Sequence, residues 1–282
     1  MSLPQLLTIE LNGTTLCYVE TGEGEPLVLV HGAGGDYRSW APQLEGLGGR
    51  CRVISYSRRY HFPDTAEVPD ATYTVALHVA DLVAFLRGLR LGPVHLLGHS
   101  YGGVVAAQTA RDHPDLVRTL ILSEPGLGTV LTDRPGGAEA IAGQQAAWSV
   151  VCAACEAGDW PRAIELMVAA VNGPRGVARL TAAARTILLS NARTLAPMLR
   201  GTAAHPVTFA LADAELIGVP ALVLHGAETV PYYRMIAGEL ARHLPQGRLA
   251  VIPAAAHSSS YHNPEAFNAA VATFLEELGA GS

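Results

Sequence analysis

Val94-His95-Leu96-Leu97-Gly98-His99-Ser100-Tyr101-Gly102-Gly103 decides how this chain folds. An apolar run ends in Gly-x-Ser-x-Gly and an Ala-rich stretch follows, which places the motif between a buried strand and a helix. A serine on so sharp a turn needs very small residues two positions to either side, because the backbone and the next helix pass close by. Gly98 and Gly102 meet that need. The turn lifts the Ser100 hydroxyl above the sheet edge. It also aims the Tyr101 N–H and the positive end of the helix at any oxyanion formed there. An ordinary glycine-rich turn carries similar letters, but the flanking strand and helix favour a nucleophile.

Two further segments converge on Ser100. Pro26-Leu27-Val28-Leu29-Val30 reads as a continuously apolar buried strand. It runs into His31-Gly32-Ala33-Gly34-Gly35-Asp36, a glycine-rich loop able to offer a free N–H, with Ala33 the expected second oxyanion donor. His31 is expected to anchor that loop, and His99 to pack beneath the serine turn. Late in the chain, Gly247–Ile252 predicts a strand, and Pro253-Ala254-Ala255-Ala256-His257-Ser258 a loop able to reach back over the sheet. His257 is the expected general base, with His262 on the same loop as the alternative.

On these three motifs and their order the chain resembles the α/β-hydrolase fold family along nearly its whole length. The resemblance implies an α/β fold: a mostly parallel eight-stranded sheet with helices on both faces and a helical cap inserted after strand 6. The division is then a core over 1–125 and 217–282, with the cap at 126–216, where Ala and Gly dominate and strand patterns vanish.

The acid departs from the common pattern. Many relatives carry Asp three residues after the glycine that ends the run Ala221-Leu222-Val223-Leu224-His225-Gly226, and this chain has Thr229 there. Two carboxylates could replace it. Glu228 is adjacent, and Glu124 ends the strand pattern of Val117–Ser123 before Pro125. Glu124 is preferred, with Glu228 the alternative. Some members of the fold, including the lactone-cleaving zearalenone hydrolases, carry their acid after this strand, and this chain is similar to them there.

Composition fits one large α/β domain with an insertion. The chain has 282 residues, 49% hydrophobic and 16% charged, with a formal net charge of -6. The basic residues are scattered, so no nucleic-acid footprint is expected and the partner is a small-molecule substrate. The segment Met1–Gly13 lacks a leader pattern and no apolar run is long enough to span a membrane, which predicts a cytoplasmic protein. Oligomeric state is not legible. Cys152 and Cys155 have metal-like spacing without a second pair, so buried thiols are expected, with no metal and no cofactor.

The remaining elements are coarser. Leu6–Asn12 and Thr14–Glu20 predict a hairpin turned at Asn12-Gly13. Arg52–Ser55 predicts a core strand. Thr74–Leu89 predicts a helix with Val75, Val79, Leu82 and Leu86 inward and Asp81 as a surface carboxylate. In the insertion, Asp159-Trp160-Pro161 starts a helix and Asn172-Gly173 stops it. Trp148, Trp160, Met167, Met198 and Phe209 are expected in the cap core, with Trp148 also a candidate pocket residue. In Tyr56-Ser57-Arg58-Arg59-Tyr60-His61-Phe62-Pro63, Arg58 or Arg59 is expected in a structural ion pair, and Tyr60 or His61 is a candidate for the substrate pocket.

A serine, an acid and a histidine in this order point to an ester or lactone hydrolase working through an acyl-enzyme. A carbon–carbon bond hydrolase of a diketone-like substrate uses the same groups, and a non-catalytic ligand receptor can share the fold.

Overall fold

Eight short, largely apolar segments bounded by turn residues become strands in the computed structural model, which describes residues 3–279. They are β1 (Leu7–Leu11), β2 (Thr14–Thr21), β3 (Pro26–Val30), β4 (Arg52–Tyr56), β5 (Val94–His99), β6 (Val117–Ser123), β7 (Ala221–Gly226) and β8 (Gly247–Ile252). They form one sheet in the order β1-β2-β4-β3-β5-β6-β7-β8. The β1–β2 and β2–β4 pairs are antiparallel, and every pair from β4 to β8 is parallel. Met1 and Ser2, the start of the segment read for a leader, lie outside the described residues.

The helices are α1 (Ala41–Leu47), α2 (Val75–Gly88), α3 (Tyr101–Asp112), α4 (Gly137–Glu156), α5 (Trp160–Asn172), α6 (Ala182–Asn191), α7 (Leu195–Ala204), α8 (Leu211–Glu215), α9 (Pro231–His243), α10 (Ser259–His262) and α11 (Pro264–Gly279). Alternation along the strands assigns them to two faces. Val28, Val30 and Leu96 pack with Leu82 and Phe85 of α2, Val105 of α3 and Ile236 of α9. Leu27, Leu29 and Leu97 pack on the opposite side with Leu44 of α1 and Phe267 and Phe274 of α11. Each fully buried Leu or Phe of this kind stabilises by about 1.5–3 kcal/mol. The expected mostly parallel eight-stranded sheet, with helices on both faces, is therefore the architecture observed.

Helices α4 to α8 lie between β6 and β7, and among the described residues this insertion holds no strand. The Asp159 side chain accepts from Arg162 N–H at the start of α5, and Gly173, at φ 75°, ends it. No helix among the described residues is long and apolar enough to cross a membrane.

Three expectations are corrected here. Asp81 is buried, because it accepts from Arg59 and from Asn12 Nδ2 and so closes the β1–β2 turn onto α2. Cys155 is buried, but Cys152 is partly exposed and lies 3.6 Å from Glu156 Oε1. Trp160 is exposed rather than in the cap core, since the first turn of α5 faces solvent.

The parallel register sets up the site. Val30 pairs with Gly98, His99 with Ser123, and Gly226 with Ile252. The strands therefore end level, and the loops carrying Ala33, Ser100, Glu124 and His257 leave the sheet at the same edge.

Candidate active site

Ser100 occupies the turn between β5 and α3 at φ 52°, ψ −117°, a conformation costly for a residue with a side chain. The surroundings hold it there. Its N–H donates to Ser123 O at 3.0 Å, and its carbonyl accepts from Gly103 N–H at 2.9 Å and Gly126 N–H at 3.2 Å. The small neighbours are obligatory: a Cβ at Gly98 would lie 2.4 Å from Gly102 O, and one at Gly102 2.2 Å from Val30 O.

Glu124, one residue beyond β6, also has positive φ, 45°. Its N–H donates to Leu224 O at 3.0 Å, which turns the fully buried side chain toward the neighbouring β7 loop. Oε1 accepts Gly226 N–H at 2.7 Å, and Oε2 accepts the Thr229 hydroxyl at 2.7 Å and His257 Nδ1 at 2.7 Å. A buried carboxylate is tolerable only with such donors. Thr229 stands where an aspartate was expected and supplies a donor to the acid instead. The alternative acid, Glu228, sits at the surface and pairs with Arg179 at 2.7 Å.

An ionised carboxylate can only accept, so His257 Nδ1 carries a proton, and in the neutral ring Nε2 is then the nitrogen with the lone pair. The ring is packed from two sides, with Tyr233 at a centroid distance of 4.0 Å and His99 at 4.7 Å. His99 Nε2 donates to the His257 carbonyl at 3.1 Å, and Asn172 of α5 holds the loop from above by accepting Ser258 N–H at 2.9 Å. Burial first, and then the neighbouring His257, push His99 down to about 3, so its ring is neutral. His99 lines the cavity rather than packing beneath the turn, because the ring is drawn toward the His257 carbonyl. His262 Nδ1 accepts Ala256 N–H at 3.1 Å, which occupies it in shaping the loop.

The cavity over Ser100 measures about 140 Å³. Its floor is Ala33, Trp40, His99, Ser100 and His257, and its far wall is Trp148, Met167, Val171, Leu180, Ile187 and Leu188 of the insertion. Neither Ala33 N–H nor Tyr101 N–H has an acceptor among the described residues. Among the described residues Arg179 is the one permanently charged side chain in the lining, and it is paired with Glu228.

Trp148 and Met167 thus reach the pocket, but Tyr60 and His61 do not. The His61 ring is fully buried, with Nδ1 bonded to Gly35 O at 2.7 Å and Nε2 to the Tyr73 hydroxyl at 2.8 Å. The Tyr60 ring stacks on Tyr73, and its hydroxyl meets Thr72 at 3.3 Å. The ion pair expected in this loop belongs to Arg59 alone. Among the described residues no cluster of three or more His, Cys, Asp or Glu could hold a metal ion.

Tyr233 was not singled out in the sequence. Its ring packs on His257, and its buried phenol is raised well above the usual range, by burial first and then by the neighbouring Tyr232 and Glu124, so it stays protonated. The available signal was the spacing of Ile236, Ala237 and Leu240, three, four and seven residues on, which puts Tyr233 on the buried face of the helix that Pro231 opens.

A model of the alpha/beta hydrolase family matches residues 27–270. An (E)-2-((N-methylformamido)methylene)succinate hydrolase of Acinetobacter baylyi is 39% identical over 114 residues, 40% of this chain and 43% of that protein. The chain thus spans less than half the length of this curated relative. An esterase from Thermogutta terrifontis is similar in structure, with a TM-score of 0.74 and 26% identity over 97% of this chain and 98% of that one. The enol-lactonase from Burkholderia xenovorans has a TM-score of 0.68 at 23% identity, over 96% of this chain and 100% of that one, and shares the fold.

Proposed function

The chain belongs to the alpha/beta hydrolase family, and from that premise we propose that this hydrolase cleaves a carboxylic ester or lactone through an acyl-enzyme on Ser100. The observation that carries this is the 2.7 Å bond from His257 Nδ1 to the fully buried Glu124, beside a serine held in a costly turn. Buried and mutually oriented groups of this kind in a cleft favour a catalytic role over a receptor.

In the proposed reaction His257 Nε2 takes the Ser100 proton as Oγ attacks the carbonyl carbon. Ala33 N–H and Tyr101 N–H hold the oxyanion. Glu124 stabilises the imidazolium through Nδ1–H and fixes the ring's tautomer. The imidazolium then protonates the departing alkoxide, leaving the acyl group on Ser100. Water, deprotonated by the same nitrogen, attacks the acyl carbon, and the proton returns to Ser100 Oγ as the acid leaves. The insertion acts as a cap, and its Trp148, Met167 and Leu188 wall favours an apolar acyl or ring portion of the substrate.

The test is labelling with a fluorophosphonate probe together with turnover of p-nitrophenyl esters. Labelling at Ser100, lost in Ser100→Ala along with ester turnover, supports the proposal. Full esterase activity in Ser100→Ala overturns it, and turnover of a diketone without ester turnover replaces it with carbon–carbon cleavage.

A further inference from the structure

Arg58 is only 1% exposed, yet its guanidinium meets no carboxylate among the described residues. Asp81 of α2 is held by Arg59, the next residue in the chain. Arg58 spends its donors on neutral acceptors: Nε to His31 O at 3.3 Å, Nη2 to Gly32 O at 3.2 Å, and Nη1 to the Tyr73 hydroxyl at 3.2 Å. The guanidinium carbon lies 4.7 Å from the centre of the Tyr101 ring. An unpaired buried cation is costly, so its position calls for a physical account.

The Gly32 carbonyl supplies one. It belongs to the peptide whose N–H is that of Ala33, and in a trans peptide these two groups point in opposite directions. Three donors converge on the Gly32 oxygen: Arg58 Nη2 at 3.2 Å, His31 Nδ1 at 2.9 Å and Gly35 N–H at 3.3 Å. They pull the carbonyl away from the cavity and so turn Ala33 N–H into it. Arg58 also governs the second donor. Its own backbone N–H donates to His31 Nε2 at 2.9 Å, which leaves Nδ1 as the protonated nitrogen facing Gly32 O. Burial, then the Arg58 charge, hold His31 well below the usual histidine range, in keeping with a neutral ring in that tautomer.

We propose that Arg58 is the positioning residue of the oxyanion site: it orients and polarises the Gly32–Ala33 peptide, and its uncompensated charge adds a positive potential beneath Ala33 and Tyr101. This rests on the serine hydrolase proposed above. A residue that acts on the oxyanion alone leaves substrate binding largely intact and matters most when charge develops on oxygen.

The experiment compares wild type, Arg58→Lys and Arg58→Met on p-nitrophenyl acetate and its thiono analogue, whose sulfur is a poor hydrogen-bond acceptor. For Arg58→Met the expected result is a kcat about 100-fold lower on the oxygen ester, as a misplaced catalytic donor costs, with KM little changed. The oxygen-to-thiono rate ratio should shrink, and Arg58→Lys, which keeps the charge but cannot bridge two carbonyls, should fall between. An unchanged kcat, or an equal loss on both substrates, overturns the proposal. If Arg58→Met does not fold, a shrunken ratio in Arg58→Lys supports it and an unchanged ratio overturns it. The Ala33 amide resonance of the substrate-free protein is read in parallel. An upfield move of its proton in the folded Arg58 variants supports the placement, and an unmoved signal overturns it. That signal reads Arg58 even if the wild type turns over no ester, an outcome that defeats the hydrolase reading instead.

Discussion

Thr229 donates its hydroxyl to Glu124 Oε2 at 2.7 Å, the same oxygen that accepts Nδ1–H of His257. The carboxylate that meets His257 arrives from β6, and the β7 loop contributes a neutral donor to it. Thr229→Val should therefore lower kcat about 10-fold or more at neutral pH, since a hydrogen bond to a charged group contributes about 1.5–3 kcal/mol. KM should hold, since Thr229 does not line the cavity. A kcat unchanged from wild type would contradict this.

Removing the acid should be far more severe than removing its neighbour. Glu124→Gln is expected to cost about 10⁴-fold in kcat, by analogy with loss of the orienting carboxylate in other serine–histidine systems. Glu228→Gln removes only the surface pair with Arg179 and should stay within about threefold, as such pairs contribute about 0–1 kcal/mol. Steady-state kinetics on one p-nitrophenyl ester decides, and a larger loss in Glu228→Gln would move the acid to the β7 loop.

Histidines set the acid side of stability. Burial first, then the Arg58 charge, hold His31, His61 and His78 well below their usual range, and His99 is pushed down to about 3. The unfolded chain therefore binds protons below about pH 6.5 that the folded chain refuses, so stability falls as pH drops from about 6.5 toward 3 and gains nothing from these groups above that window. Among the described residues His78 has no hydrogen-bond partner on either ring nitrogen, so His78→Leu loses none of the bonds seen. Thermal melts should show a higher Tm for His78→Leu than for wild type at pH 5 and a shallower fall between pH 7 and 4. Parallel Tm–pH curves would count against the assignment.

The pocket wall carries its own prediction. Trp148 lines the cavity, whereas the Tyr60 hydroxyl meets only Thr72 outside it. Trp148→Ala should reduce kcat/KM for a hexanoate ester relative to the acetate by about 10-fold, the scale of a lost apolar contact. Tyr60→Phe should leave that ratio unchanged, and an acyl-chain series of p-nitrophenyl esters measures both.

Some of these residues were legible because a local backbone motif carries each one. Ser100 stands between two glycines that the turn requires, Ala33 lies in a glycine-rich loop after an apolar strand, and His257 follows the last strand before Pro264. Tyr60, His61 and Asp81 were misplaced for the opposite reason. Their surroundings come from Tyr73, Gly35 and Arg59: no periodicity runs through the loop of Tyr60 and His61, and the inward stripe of α2 does not show that Arg59 covers Asp81.

The sequence by itself determined the strand order of functional loops, the helical insertion between β6 and β7, and the serine turn, because periodicity and glycine sterics act over a few residues. Only the tertiary structure put Glu124 rather than Glu228 against His257, kept Tyr60 and His61 out of the pocket lining, and brought Tyr233, His99 and Arg58 to the site. Those outcomes depend on the register of parallel strands, such as Ser123 against Leu224, and on side-chain direction at a positive φ. Both are set by packing between segments far apart in the chain, which no local pattern encodes.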